Sequence, residues 1–374
     1  MILTTIAAVA ALGAACAPGP TGDGPANDDT TTVLRPTPGA VRPTPTTAAP
    51  GGAPSTTAAP PITVAPPTGP VSFRATSTRS QIGGCDVFPA NHYLNATNID
   101  RLPVHPNSDR WLSGQRSRGS AISTPSSTVW QGSSSGIPIN VVDSRVTGMQ
   151  SVLYTINVSP HEYRGRVPLP AAPRVEGHPG AAWDRHVLVV DSADCSAYEL
   201  IQYEHTLRGL GPRTANSGAK YSLSSTDRVK FTTNSPNTPM IGQAFRVDEV
   251  NAGAVHHVSA FCSNTIASSH VWPASSSDGK QADTSEMPMG AWARLKANVD
   301  LSRFSGQARA MAQALRTHGT VLTDTCSQNM HLTGENSTGW NAADLRQLQS
   351  LTANDFEIVD TTSLKVSDDS WAIR

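Results

Sequence analysis

Five residues carry the proton chemistry that this sequence offers. Asp184 and His186 stand at i and i+2, just before the apolar run Leu188-Val189-Val190. On an extended strand that spacing puts both side chains on one face, where an Asp beside a His equips a general base for a hydrolase or lyase. Asp248 and Glu249 fall in Phe245-Arg246-Val247-Asp248-Glu249-Val250, and His257 follows them. Paired carboxylates in unlike environments are the equipment of glycoside hydrolysis. Asp184, His186, Asp248, Glu249 and His257 are therefore the candidate catalytic residues, expected around one cleft. Trp272 offers an indole face to a sugar ring, as do Trp183 and Trp292. Arg294 and Lys296 alternate along a strand and suit an anionic ligand. Trp272, Arg294 and Lys296 are the candidate substrate-binding residues. The competing reading is structural: Asp and His fix loops at strand ends, Trp fills a core, and Arg and Lys face solvent.

Other chemistries lack their motifs. There is no HExxH and no CxxC, and the histidines are scattered apart from His256-His257, which point to opposite faces if they lie on a strand. No metal and no cofactor is expected. Ser217-Gly218-Ala219-Lys220 spells SxxK, but that nucleophile needs a helix to bring Lys one turn from Ser, and here it leads into the strand-like AKYSLSS. Cys195, in SADCSAYE at a hairpin, reads as half of a disulfide.

The elements that must position these residues are mostly short strands. They are expected at 136–143, 151–158, 185–191, 196–204, 219–225, 244–250, 254–261 and 292–300. Residues 185–204 read as a hairpin around Ser192, Ala193 and Asp194. Two helices follow near the C-terminus. Ser305 is positioned to cap one carrying Ala308, Met311, Ala312 and Leu315 on one face, with Gly319 ending it. Asn341 is positioned to cap the other, which carries Leu345 and Leu348. A strand follows each, at 319–325 and 356–361. The fold class is β-rich α+β: an antiparallel sandwich or jelly-roll-like domain with two C-terminal helices.

The 374 residues carry 28 Lys+Arg and 29 Asp+Glu, a net charge of −1. That excludes a basic nucleic-acid binder. Residues 1–15 read as a signal peptide, apolar and Ala-rich but too short to span a bilayer. Met1 to Thr5 lacks the positive charge of an n-region, which places the true start upstream. Cys16 follows small residues and resembles a bacterial lipidation site, although the large aliphatic residue, Leu12, stands one place too far back. An ordinary cleaved signal is the alternative. Residues 16–70 are rich in Pro, Thr and Ala, with fourteen of the 29 prolines, and read as a disordered tether. At ~3.1 Å per residue it would reach at most ~170 Å. Residues 71–374 read as a single folded domain. The five cysteines leave four for two disulfides once Cys16 is set aside, and spacing alone does not choose among three pairings.

Several segments resemble one family of exported bacterial domains of the actinobacterial and proteobacterial type. They are Phe88-Pro89-Ala90-Asn91, Asp184-Arg185-His186-Val187-Leu188-Val189-Val190-Asp191, Asp248-Glu249-Val250, Val271-Trp272-Pro273-Ala274 and Arg294-Leu295-Lys296-Ala297. The similarity spans nearly all of 85–362 and implies export, without implying a particular activity. Cys262 and Cys326 depart from the family pattern together, which suggests that they pair, leaving Cys85 to Cys195.

The expected function is an exported, lipid-anchored envelope protein that acts on or holds an extracellular or cell-wall glycan, in its enzymatic form a carbohydrate hydrolase or lyase. The alternative is a non-catalytic cell-surface binding or scaffold domain. Its partners would be a glycan or cell-wall polymer and, through the lipid anchor only, the membrane. It would meet no nucleic acid and would work as a monomer, on the outer face of the bacterial membrane or secreted.

Overall fold

Val187–Asp191 (β2) is apolar in four of its five positions and buried along its length, as a strand covered on both faces must be. In a computed structural model of the chain it is central to a four-stranded sheet with Ile139–Val142 (β1), Ser196–Ile201 (β3) and Ser217–Ser222 (β4). The structure describes residues 72–75, 78–117, 121–125, 129–130, 133–134, 136–177, 184–206, 209, 211–282 and 284–374. The signal peptide, Cys16 and tether assigned to 1–70, and Trp183, lie outside the described residues. Residues Val71–Arg374 belong to one compact unit.

A second, five-stranded sheet has the order β8-β5-β7-β6-β9, with β5 Ser259–Ser263, β6 Trp292–Leu295, β7 Thr320–Thr325, β8 His331–Leu332 and β9 Phe356–Ile358. Alternation sets the layers. Leu188 and Val190 share a core with Trp292 and Val321 of the second sheet, so the two sheets face each other. Val187 and Val189 face away, onto Tyr154, Val167 and Leu169. The outer face of the five-stranded sheet is covered by Ser108–Ser117 (α1), Gly306–Thr317 (α4) and Ala342–Leu348 (α5). Two shorter helices are Ser144–Thr147 (α2) and Val247–Asn251 (α3).

The result is a β-rich α+β fold. Both sheets are mixed: β1 and β2 run parallel, as do β5 and β7, while the remaining neighbours are antiparallel. The β2–β3 hairpin turns through Ser192, Ala193 and Asp194, where the Asp191 and Asp194 carboxylates each accept a backbone N–H two residues on. Several local expectations differ: of 151–158 only Leu153–Tyr154 is strand, and of 254–261 only the part from Ser259. Residues 244–250 hold helix α3 rather than a strand: Val247 and Val250 suit a helix face at i, i+3, and Asp248 and Glu249 sit in its first turn, where carboxylates oppose the helix dipole. Ser305 makes no side-chain cap. Asp344 of α5 does so instead, accepting the Gln307 N–H at 2.9 Å. Gly306, at φ +52°, leaves room for that carboxylate, since a Cβ would lie 2.1 Å from its Oδ2.

Two disulfides, Cys85–Cys195 and Cys262–Cys326, close the framework. They fit an oxidising extracellular setting. Among the described residues no helix is long and apolar enough to cross a membrane.

Candidate functional site

Asp184 and Arg185 both adopt left-handed backbone, at φ 61° and 46°. Two consecutive non-glycine residues there cost free energy that the surroundings must offset. The offsets are visible. The Gln202 N–H donates to the Asp184 carbonyl at 2.6 Å, the Tyr203 N–H to the Arg185 carbonyl at 3.1 Å, and the buried Arg185 guanidinium to Glu204 at 2.7 Å. The strained pair turns the chain so that Asp184 faces solvent while His186, two residues on, is buried. The two are therefore close without sharing a strand face, because β2 begins only at Val187.

His186 is clamped between acceptors. Its Nδ1 lies 2.6 Å from Glu176 Oε2 and its Nε2 3.3 Å from the Thr233 carbonyl. Burial opposes its charge, but the Glu176 carboxylate, its hydrogen bond and Asp184 outweigh that and hold the imidazole up to about 9. As an imidazolium at neutral pH it has no free nitrogen lone pair with which to accept a proton. The loop that presents the Thr233 carbonyl is fixed by Glu199 on β3. This buried carboxylate accepts from the Thr233 N–H and hydroxyl, the Met240 N–H and the Tyr221 hydroxyl.

Three carboxylates complete the cluster. Asp324, near the end of β7, meets solvent, as do Asp184 and Asp278. Desolvation by the surrounding protein, then the charges of Asp184 and Asp278, push Asp324 up to about 8. Asp184 is raised as well, by desolvation first, with His186 opposing and Glu176 and Asp278 adding to the shift. Asp278 accepts the Thr325 hydroxyl at 3.0 Å. The Cys262–Cys326 bridge fixes the same strand end, since Cys262 stands opposite Asp324 in the β5–β7 register. The cluster thus sets Asp324, with its carboxyl held up to about 8, near Asp184, Asp278 and the His186 imidazole. Among the described residues, no group of three His, Cys, Asp or Glu is placed to hold a metal ion.

The remaining candidates lie elsewhere. Glu249 and His257 do meet, at 3.1 Å, but in a buried network with Arg246 and Ser80. Burial works against the Glu249 charge, yet His257, Arg246 and Ser80 bring it down to about 2. This network joins α3 to the start of β5, and Asp324 sits at the far end of β5 and β7. Asp248 points outward, 3.3 Å from Arg246, and lines a small surface groove with Glu335. The five candidates therefore divide between two places. Arg294 is buried and spent: it pairs with Glu357 at 2.8 Å and donates to the carbonyls of Ile99 and Leu102. Lys296 donates to the Asn354 carbonyl at 2.8 Å. Trp292 is core, and Trp272 lines a separate cleft, its indole N–H on the Ser370 carbonyl. Ser217 and Lys220 of the SxxK spelling lie on strand β4, where i and i+3 point apart. Residues 132–136 spell GxSxG, but Ser134 lies in a short hairpin strand, not at the strand-to-helix turn that a nucleophile elbow requires.

Sequence reasoning missed Glu176, Asp278 and Asp324. Asp324 carried a signal, a polar residue at the end of the apolar strand TVLTDT, but an isolated aspartate in a loop such as Asp278 carries none. Compared with protein-family models, curated proteins and solved structures, the chain matches none.

Proposed function

We propose that this is an exported, lipid-anchored envelope protein whose acidic cluster hydrolyses an extracellular or cell-wall glycan. The observation that carries the reading is the grouping of three solvent-facing carboxyls, Asp184, Asp278 and Asp324, with Asp278 tied to Thr325 beside Asp324, and burial and the neighbouring charges push Asp324 up to about 8. Glycoside cleavage needs a carboxylic acid to protonate the leaving oxygen and a carboxylate to activate water or attack the sugar. Asp324 takes the first part. Asp184 or Asp278 takes the second. His186 and Glu176 hold the Asp184 turn and keep a positive charge next to it, so they are positioning residues. The disulfides, the signal-like N-terminus and the Pro/Thr-rich segment support display outside the cell.

A non-catalytic glycan holder is the second reading, and the separate cleft beside Trp272 favours it. The test is a panel of purified polysaccharides and cell-wall material incubated with the protein, read by release of reducing ends and by pull-down. The hydrolase reading expects new reducing ends that disappear in Asp324→Asn. Pull-down with no product from any polymer would favour the holder. Anchoring has its own test: Cys16→Ser should release the protein to the medium, and failure of the wild type to incorporate labelled fatty acid contradicts it.

A further inference from the structure

A cleft of about 740 Å³ is lined by none of Asp184, Asp278 and Asp324. Its wall carries a flat aromatic surface: the half-buried His105 ring stacks on Trp111, with centroids 4.3 Å apart and planes 20° apart. His105 Nδ1 accepts the Asn107 N–H at 3.0 Å, which leaves the proton on Nε2 as a donor. Burial lowers the pKa of this ring against the pull of Asp360, so it is neutral at neutral pH.

Two cations in the same wall are not used up. Arg228 donates through Nη2 to the Pro273 carbonyl, and no other hydrogen bond holds its guanidinium among the described residues. Lys230 is exposed and forms no ion pair among the described residues. The third cation, Lys365, is taken by Asp368 at 2.8 Å. Asp360, Asp368 and Asp369 also line the cleft, and the last two act on the Arg228 charge. A carboxylate is a planar anion that suits Arg228 and Lys230. Arginine favours such a planar, bidentate partner.

We infer that this cleft binds a carboxylated saccharide, a uronic-acid unit, with its carboxylate on Arg228 and Lys230 and its ring against the His105–Trp111 pair. The inference goes beyond the hydrolase reading and does not need the acidic cluster to be catalytic. The two places are nonetheless close. Ser275 lines the cleft, and Asp278 of the cluster is three residues further on, at most about 11 Å along the chain. One extended acidic glycan can therefore reach both.

The test is calorimetric titration of the full chain with an oligogalacturonate, a neutral cello-oligosaccharide and inorganic phosphate. It is run in an Asp324→Asn background so that the ligand is not consumed. The oligogalacturonate should bind, more weakly as salt rises. Arg228→Gln should weaken it about tenfold or more, the scale of a lost hydrogen bond to a charged group, and Lys230→Gln should weaken it about threefold. Because Lys230 is exposed, its variant decides the matter if Arg228→Gln fails to fold. Equal binding of the neutral oligosaccharide or of phosphate, no uronate binding, or affinity unmoved by Lys230→Gln overturns the inference. Uronate binding without product release from any polymer would leave the cleft standing and remove the hydrolase. Product release with no uronate binding would do the reverse.

Discussion

Asp324 and His186 are shifted in the same direction, and the consequences for stability are opposite. Asp324 titrates near 8 when folded and near 3.9 when unfolded. Its ionisation therefore opposes folding, a cost absent in acid that grows with pH and is complete above about 8. Asp324→Asn removes that cost. Its Tm should exceed the wild type at pH 8–9, and the gap should close by pH 4; a lower Tm throughout would contradict the assignment. His186 rises from about 6.5 unfolded to about 9 folded. Its contribution is complete below about 6.5 and is lost as pH rises through about 9, and a shift of that size corresponds to up to about 3 kcal/mol. His186→Gln should therefore lower Tm most at pH 6 and progressively less towards pH 10. A deficit independent of pH would mean that His186 acts by packing alone. At this scale the sequence was half legible. Asp184 and His186 were legible as neighbours because both sit against an obvious apolar strand. Glu176, Asp278 and Asp324 come from segments far apart in the chain, and only the fold brings them together.

The elements explain which candidates separated. Spacing along FRVDEV fits either a strand or a helix over so few residues, and the helix places Glu249 inward and Asp248 outward. Glu249 then serves as the anion of a buried network rather than as an acid. Leaving Arg246 and His257 without it should cost about 3 kcal/mol. Its pKa is depressed to about 2, so the stabilisation is present above about 4.5 and lost as pH falls through about 2. Glu249→Gln should lower Tm at neutral pH while the folded fraction keeps its specific activity. Selective loss of activity at unchanged Tm would return Glu249 to the active site. The Cys262–Cys326 bridge ties the ends of β5 and β7 across a separation of 64 residues, worth up to about 4 kcal/mol in the chain-entropy account. The Cys262→Ser, Cys326→Ser double variant should melt several degrees lower and lose product release before it loses the fold, because Asp324 and Thr325 sit beside the bridge. Activity that tracks the folded fraction would show the bridge to be structural only.

Across the whole molecule, two mixed sheets face each other, and one is also covered by helices. Apolar strand patterns and helix faces made the β-rich α+β class legible. The parallel pairs were not, because periodicity reports which face is buried and not which neighbour a strand joins. The three core clusters draw on residues from Phe73 to Ile373. A 71–374 fragment should therefore melt at the same temperature as the longer chain, and a drop of several degrees would show that the N-terminal segment contributes to folding.

The central claim, that Asp324 is the proton donor of a glycan-cleaving cluster, is tested most directly by the pH profile of product release on a responsive polysaccharide, for wild type and Asp324→Asn. The account predicts a wild-type rate that falls as pH rises through about 8, and a variant that is at least about a hundredfold slower with that limb missing. A variant that keeps the wild-type rate and the same alkaline limb would contradict it.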